Sequence, residues 1–180
     1  MNTFLHHWGL AVITFVPLVG VVVMMAIPKG EEQLHKLVAL IATTLPFAVG
    51  IWLLAEFNYH KASKLQFGID RRWIEIIHSR FTMGVDGIAL PLLMLTLFIV
   101  PLVVIYSWNH IPDPGNPKAF LILILILETG MVGSFVAQDL ILFFVFFEVV
   151  LLPMYLIIVL WGGARRRQAA RTAVRELKCA

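Results

Sequence analysis

The chain has 180 residues, of which 60% are hydrophobic and only 14% are charged, and its formal net charge is +3. Soluble domains contain roughly a quarter charged residues, so this composition excludes an ordinary soluble enzyme and indicates an integral membrane protein. The basic residues form short clusters beside apolar runs, which argues against a nucleic-acid-binding face. The single cysteine, Cys179, excludes an internal disulfide, a thiolate metal cluster and a CxxC redox centre.

Five apolar runs are long enough to cross a bilayer, which requires about 20 residues. They cover residues 8–27, 37–55, 87–108, 119–137 and 140–160. Because hydrocarbon cannot satisfy backbone amides, each run is predicted to be an α-helix. The expected fold is therefore an all-α integral membrane bundle with five transmembrane helices. The first run has no basic residue before it, so it is expected to remain in the mature protein.

The connections between the runs differ in length and character. The loop over residues 56–86 is the longest, and its segments 65–69 and 74–76 alternate with a period of two, which predicts a short β-hairpin on one membrane face. Residues 112–117 are rich in proline and glycine and cannot be helical. Residues 137–139 leave room only for a tight turn, so the last two spans should form an antiparallel helical hairpin.

The distribution of basic residues predicts the orientation in the membrane. Five lie in the 56–86 loop, and the other nine lie on the opposite side: Lys29, Lys36, Lys118, Arg165, Arg166, Arg167, Arg171, Arg175 and Lys178. We therefore expect the C-terminal tail in the cytoplasm, with the N-terminus and the long loop outside.

Two carboxylates lie near the centres of predicted spans, Glu128 in the fourth and Glu148 in the fifth. A carboxylate at mid-helix costs about 2.5–3.5 kcal/mol on insertion scales, so such residues are candidate proton carriers. Gln138, in the tight turn, is equally far from both in sequence, which places each about 15 Å below the turn. If their faces meet, the two groups titrate as a coupled pair. The alternative is that one or both stay protonated and form hydrogen bonds between helices.

Three further residues are predicted to be structural. Asp86 and Asp139 directly precede the third and fifth spans, where an aspartate is the expected helix N-cap. Pro153 follows Glu148 on the same span and removes the donor that would pair with the Val149 carbonyl. This could create a water-binding defect beside Glu148, although prolines are also common in membrane helices.

No cofactor or metal site is predicted in this chain. The six histidines all fall outside the predicted spans, and no two of them have convincing metal-ligand spacing. The sequence contains no glycine-rich phosphate loop and no Ser/His/Asp arrangement. Arg165, Arg166 and Arg167 follow Trp161-Gly162-Gly163 and are interpreted as a headgroup anchor.

The fifth span carries a recognisable motif. Residues 139–148 read Asp-Leu-Ile-Leu-Phe-Phe-Val-Phe-Phe-Glu, and Leu151-Leu152-Pro153-Met154-Tyr155 and Trp161-Gly162-Gly163 follow. This stretch resembles the fifth-helix signature of the antiporter-like subunit M of NADH-quinone oxidoreductase, the bacterial counterpart of mitochondrial complex I subunit 4. Supporting matches lie at residues 84–88, 106–108 and 127–131, and the resemblance covers residues 8–163.

The resemblance implies that Glu148 is the intramembrane glutamate of a proton channel, paired in the family with a lysine on the seventh helix. It also implies a bacterial inner-membrane location, and partners among the other membrane subunits of the complex, neighbouring antiporter-like subunits above all. NADH oxidation and quinone reduction take place on other subunits, so no flavin or iron–sulfur cluster is expected here.

Residues 164–180 are the expected departure from the family, because they are too basic to form a sixth span. They are interpreted as a basic surface tail, and the chain as an N-terminal fragment or the product of a truncated or frameshifted gene. Three hypotheses follow: a complex I subunit M, a homologous subunit of a cation/proton antiporter or membrane-bound hydrogenase, or a truncated bundle without transport.

Overall fold

The computed structural model of the protein describes residues 2–28, 30–74, 79–110 and 116–162. The basic tail over residues 164–180 lies outside these residues, as does most of the proline-rich stretch at 112–117. The headgroup anchor over residues 165–167 and the exclusions drawn from Cys179 therefore remain predictions from the sequence.

Five helices dominate the structure: α1 (Asn2–Ala26), α2 (Glu32–Glu56), α3 (Ala89–Tyr106), α4 (Pro117–Val136) and α5 (Leu140–Trp161). All five are long and apolar enough to cross a membrane, α1 over Trp8–Ala26. The prediction of five transmembrane helices is therefore confirmed. The start of α2 was predicted too late, because the helix continues through the charged residues Glu32 and Lys36 before the apolar run. Helical hydrogen bonding does not stop at the edge of the hydrocarbon.

The loop between α2 and α3 contains a 3₁₀ turn (Tyr59–Lys61) and an antiparallel hairpin of β1 (Gln66–Ile74) and β2 (Ser79–Val85). The predicted hairpin is therefore present, but its second strand was misplaced: Ile74 belongs to β1, and residues 75–76 lie outside the described part. Strand β2 has its own period of two, with Phe81, Met83 and Val85 on the same side. Met83 and Val85 are fully buried against the helix ends.

The turn between α4 and α5 is joined to this hairpin. The Gln138 amide donates to the Thr82 carbonyl at 2.9 Å, and the Gln138 side chain donates to the Gly84 carbonyl at 3.2 Å. The Arg80 amide donates to Asp139 Oδ2 at 3.2 Å. The starts of α1, α3 and α5 and the ends of α2 and α4 therefore share one side of the bundle, called the hairpin end below.

Helix α4 occupies the centre of the bundle. It contacts α1, α2 and α3 on one side and α5 on the other. The buried apolar residues form one cluster near the hairpin end and a second toward the opposite end, where Phe120 packs edge-on against Trp161. Helix α5 packs mainly on α4 and leaves much of its own surface uncovered.

Candidate functional site

Glu148 projects from the uncovered face of α5. The opposite face of this helix packs on α4, where Phe146 lies against Gly133 and Val150 lies against Gly130. Glu148 is two residues from both contacts, which is about 200° around a helix. Its side chain is exposed and has no hydrogen bond or ion pair to any residue that the structure describes.

The surroundings of Glu148 on this face are apolar. Phe144 and Leu152, one turn to either side, are 59% and 65% exposed. Pro153 lies on the packed side of α5 and is buried, and the helix continues past it to Trp161. Because proline has no amide hydrogen, the Val149 carbonyl beside Glu148 lacks its helical donor. Within one turn of Glu148, the uncovered face therefore presents a single carboxylate among apolar side chains, and the freed carbonyl lies toward the packed side with Pro153.

Glu128 has the opposite environment. Its side chain is 0% exposed and lies in the buried stripe of α4 that is completed by Leu121, Leu125, Val132 and Val136. This stripe faces α1, because a methyl group on Gly20 would lie 3.2 Å from Leu125 Cδ1. Neither oxygen of Glu128 has a hydrogen-bond partner among the described residues.

The two carboxylates lie within about one helical turn of the same depth, but on different faces. Gly130 marks the side of α4 that touches α5, and Glu128 is about 200° away from it around the helix. The backbone of α4 therefore lies between Glu128 and Glu148. The facing arrangement required for a coupled pair is not seen, and the proton-carrying role of each residue stays a separate prediction.

Asp86 and Asp139 lie at helix starts. Asp86 Oδ1 accepts from the amides of Ile88 and Ala89 at 3.1 and 2.7 Å. Asp139 Oδ1 accepts from the amides of Ile141 and Leu142 at 2.9 and 3.2 Å. Both carboxylates thus accept hydrogen bonds from amides at a helix start that have no acceptor within the helix, which is the N-capping arrangement.

His35 corrects one expectation about the histidines. It lies inside α2 and is fully buried, with its Nδ1 atom 2.6 Å from the Glu31 carbonyl oxygen. Since the membrane-spanning stretch of α2 starts at Glu32, the prediction that all six histidines lie outside the spans was wrong. The spacing of His35, Ala39, Ala42 and Pro46 at three to four residues is the signal that places His35 on the inward face. Within the described ranges, no three His, Cys, Asp or Glu side chains are grouped as metal ligands.

A groove of about 660 Å³ opens between α2 and α3 near the hairpin end. Its walls are almost entirely apolar and include Phe47, Phe57, Leu90, Met94 and Phe98. Among the residues that the structure describes, no carboxylate or basic side chain lines it, so these residues offer no group that could carry a proton at physiological pH.

Comparison with known families identifies the bundle. Residues 11–134 match the family model described as NADH-ubiquinone oxidoreductase chain 4, amino terminus. The chain belongs to the NADH-ubiquinone oxidoreductase chain 4 family. Residues 137–175 match a second model, described as NADH:quinone oxidoreductase/Mrp antiporter, TM. This match includes Glu148 and continues past Gly163, where the sequence resemblance was expected to end.

Relatives and solved structures agree with membership in the chain 4 family. NADH-quinone oxidoreductase subunit M of Rhodobacter capsulatus is 42% identical over 151 residues, which are 82% of this chain and 28% of the relative. The chain thus spans under a third of the length of that relative. A chain of respiratory complex I from Thermus thermophilus shares the fold, with a TM-score of 0.73, 22% identity, and coverage of 92% of this chain and 32% of that one. A chain of the Mrp complex from Dietzia has a TM-score of 0.66 at 16% identity, covering 88% and 17% of the two chains.

Proposed function

We propose that this chain forms the five-helix N-terminal part of a proton-translocating subunit in the membrane arm of NADH-quinone oxidoreductase. In this function, NADH oxidation and quinone reduction occur on other subunits, and the energy they release moves protons across the membrane. The chain lies in a bacterial inner membrane, with the β-hairpin on the extracytoplasmic side and other membrane-arm subunits as neighbours. Glu148 carries the proton.

The position of Glu148 is the observation that supports this role. It is a mid-helix carboxylate on an exposed apolar face, and an unpaired carboxylate facing lipid is strongly unfavourable. A stable arrangement therefore needs polar or cationic groups from beyond the described residues to cover this face of α5. A carboxylate that meets such groups inside the membrane can take up a proton and pass it on.

Glu128 has a lesser role in the same proposal. Since α4 separates it from Glu148, it cannot exchange a proton with Glu148 directly. A substitution at Glu128 should therefore affect proton transfer less than one at Glu148.

The experiment is a pair of substitutions in the full-length protein that carries this segment. We expect Glu148→Gln to lower proton pumping severely, because the amide keeps the shape and hydrogen bonding of the side chain but cannot exchange a proton. Pumping is measured in inverted vesicles or proteoliposomes by quenching of a pH-sensitive dye, with NADH oxidation followed in parallel. Glu148→Asp should lose less activity, because the carboxylate is retained and only its reach is shortened.

The control is the matched substitution Glu128→Gln, together with the amount of assembled complex in each preparation. Normal pumping by Glu148→Gln at normal assembly would show that the carboxyl is structural and not a relay. A larger loss from Glu128→Gln than from Glu148→Gln would show that the roles of the two residues are reversed.

A second candidate function is supported by the Mrp likeness. The model matching residues 137–175 is described for both NADH:quinone oxidoreductases and Mrp antiporters, and a chain of an Mrp complex shares the fold. In that case the protein would exchange cations for protons without a redox reaction. Purification of the tagged full-length protein distinguishes the two, since only the first candidate retains NADH-quinone reductase activity.

A further inference from the structure

Glu128 lies in a layer of buried polar groups inside the bundle of α1 to α4. Three buried threonines and three buried prolines lie within about one helical turn of its depth. These residues are Thr14, Thr43, Thr129, Pro17, Pro46 and Pro101. Together with Glu128 they are called the polar layer below.

Contacts at Gly20 establish the common depth of α1, α2 and α4. A methyl group on Gly20 would lie 2.5 Å from Ala42 Cβ and 3.2 Å from Leu125 Cδ1, so three helices meet at this level. Toward the hairpin end, Pro17 is three residues from Gly20 on α1, and Pro46 is four residues from Ala42 on α2. Glu128 is three residues from Leu125 on α4 in the same direction. These three groups therefore lie side by side in the membrane.

Gly50 connects α3 to the same level. A methyl group on Gly50 would lie 2.7 Å from Leu97 Cδ1, where α2 and α3 meet. Four residues from this contact, away from the hairpin end, lie Pro46 on α2 and Pro101 on α3. The proline of α3 thus shares the depth of the other two.

The prolines leave carbonyl oxygens without their usual donors. Each proline lacks the amide hydrogen that would pair with the carbonyl four residues earlier. The carbonyls concerned belong to Ile13, Ala42 and Leu97, whose side chains are all buried. Three helices therefore each present an underused acceptor at the depth of Glu128.

The threonine hydroxyls do not supply the missing donors. Each donates to a carbonyl of its own helix: Thr14 to Leu10 at 2.8 Å, Thr43 to Leu40 at 3.1 Å and Thr129 to Leu125 at 3.2 Å. Their oxygens are left with acceptor capacity only, and a protonated Glu128 supplies a single donor for three freed carbonyls. The polar layer consequently has a surplus of acceptors.

We propose that the polar layer binds water molecules. Water brings two donors, and buried water typically makes about three hydrogen bonds to polar groups that would otherwise be unsatisfied. Such waters would pair with the oxygens of the Glu128 carboxyl group and donate to the freed carbonyls, which removes the cost of burying polar groups without partners. The polar layer is then a hydrated site within the first four helices.

This hydrated site is separate from the face that carries Glu148. Glu128 points away from α5, with the backbone of α4 between the two carboxylates. The inference therefore does not depend on the relay role proposed for Glu148. Pumping measurements test that role, whereas the experiment below measures only the presence of water.

The test is hydroxyl-radical footprinting of the full-length protein in lipid nanodiscs, with radicals generated from water by a millisecond X-ray pulse. Leu125 and Val132 flank Glu128 on its buried stripe, and both are 0% exposed. We expect their oxidation to exceed several-fold that of Leu53 and Leu93, which are also 0% exposed but lie about two helical turns from the depth of Glu128, toward the hairpin end. Oxidation of Leu125 and Val132 at only the level of these controls would overturn the proposal.

Two variants locate the water. Glu128→Leu should reduce oxidation of Leu125 and Val132 to the level of the controls, and Thr43→Val, which removes one acceptor at nearly constant volume, should reduce it partly. If Glu128→Leu does not fold, the wild-type pattern and Thr43→Val still decide. Unchanged oxidation in the variants would place the water elsewhere. Suppression of the labelling by sodium chloride, but not by choline chloride, would identify a sodium ion instead of water.

Discussion

At the scale of single residues, Asp70 and Arg80 form the ion pair that joins the two strands of the hairpin. Arg80 donates from Nε and Nη2 to the two carboxylate oxygens at 2.7 and 2.6 Å, and Thr82 donates to Asp70 Oδ1 at 3.2 Å. The hydrogen bonds from Arg80 lower the pKa of Asp70 below its ordinary value of 3.8, and the same pair raises the pKa of Arg80. Both side chains are about half exposed, so solvent screens the pair and its contribution is modest.

The lowered pKa of Asp70 predicts how the hairpin responds to acid. A carboxyl with a depressed folded pKa stabilises the fold above its unfolded pKa, and this stabilisation is lost as the pH falls through the folded value. We expect the hydrogen-exchange protection factors of the hairpin amides to decrease on acidification below about pH 4. Asp70→Asn should lower protection at neutral pH and remove this acid dependence. Glu32→Gln, at the opposite end of the molecule, is the control and should behave like the wild type.

At the scale of elements, α4 and α5 approach closely because glycines line their contact. A methyl group on Gly130 would lie 2.7 Å from Val150 Cγ2 and 3.1 Å from the Val150 backbone nitrogen, and one on Gly133 would collide with the ring of Phe146. Small residues let membrane helices pack backbone to backbone, which replaces the hydrophobic driving force that lipid cannot supply. This contact determines that Glu148 faces away from α4.

The contact at Gly130 predicts a selective effect of a single methyl group. Gly130→Ala should destabilise the protein by about 1–3 kcal/mol, because the new methyl meets the backbone of α5, which cannot rotate away as a side chain can. Gly9→Ala is a matched control, since Gly9 is also helical and buried but a methyl there would meet only side-chain atoms at 3.9 and 4.0 Å. Unfolding of both variants in mild detergent measures the difference, and equal stability would show that the contact is not tightly packed.

The sequence predicts where the helices of this bundle lie along the chain far better than it predicts which face of each helix packs against its neighbours. Apolar runs of membrane length identify all five helices, and Asp86 and Asp139 indicate where two of them begin. The direction in which Glu128 and Glu148 point could not be predicted, because membrane helices are apolar both toward lipid and toward neighbouring helices and so lack an amphipathic stripe. The only sequence signal was the pair Gly130 and Gly133, which marks the side of α4 that meets α5. Strand β2 was missed because its polar positions obscured the period of two.

At the scale of the whole molecule, the hairpin end differs from the opposite end. The hairpin end carries the extramembrane structure: the two strands, the turn of α4 and α5 bound to them, and Arg71, whose guanidinium lies 5.9 Å above the ring of Trp8. At the opposite end, five residues join α1 to α2 and ten residues join α3 to α4. Lys118 reaches across it to donate to the carbonyls of Met25 and Ile27 at the end of α1, which is favourable at a helix C-terminus.

The asymmetry of basic residues predicts which end faces the cytoplasm. Five basic residues lie in the loop of the hairpin end and nine on the other side, so the positive-inside rule places the hairpin end outside. With Cys179 replaced by serine, a cysteine introduced at Lys64, which is exposed at the hairpin end, should react with a membrane-impermeant maleimide in intact spheroplasts. A cysteine introduced at Glu32, exposed at the other end, should react only after the membrane is opened. The reverse labelling pattern would show that the orientation is inverted. Labelling of both cysteines in intact spheroplasts would show that α2, which separates the two sites, does not cross the membrane.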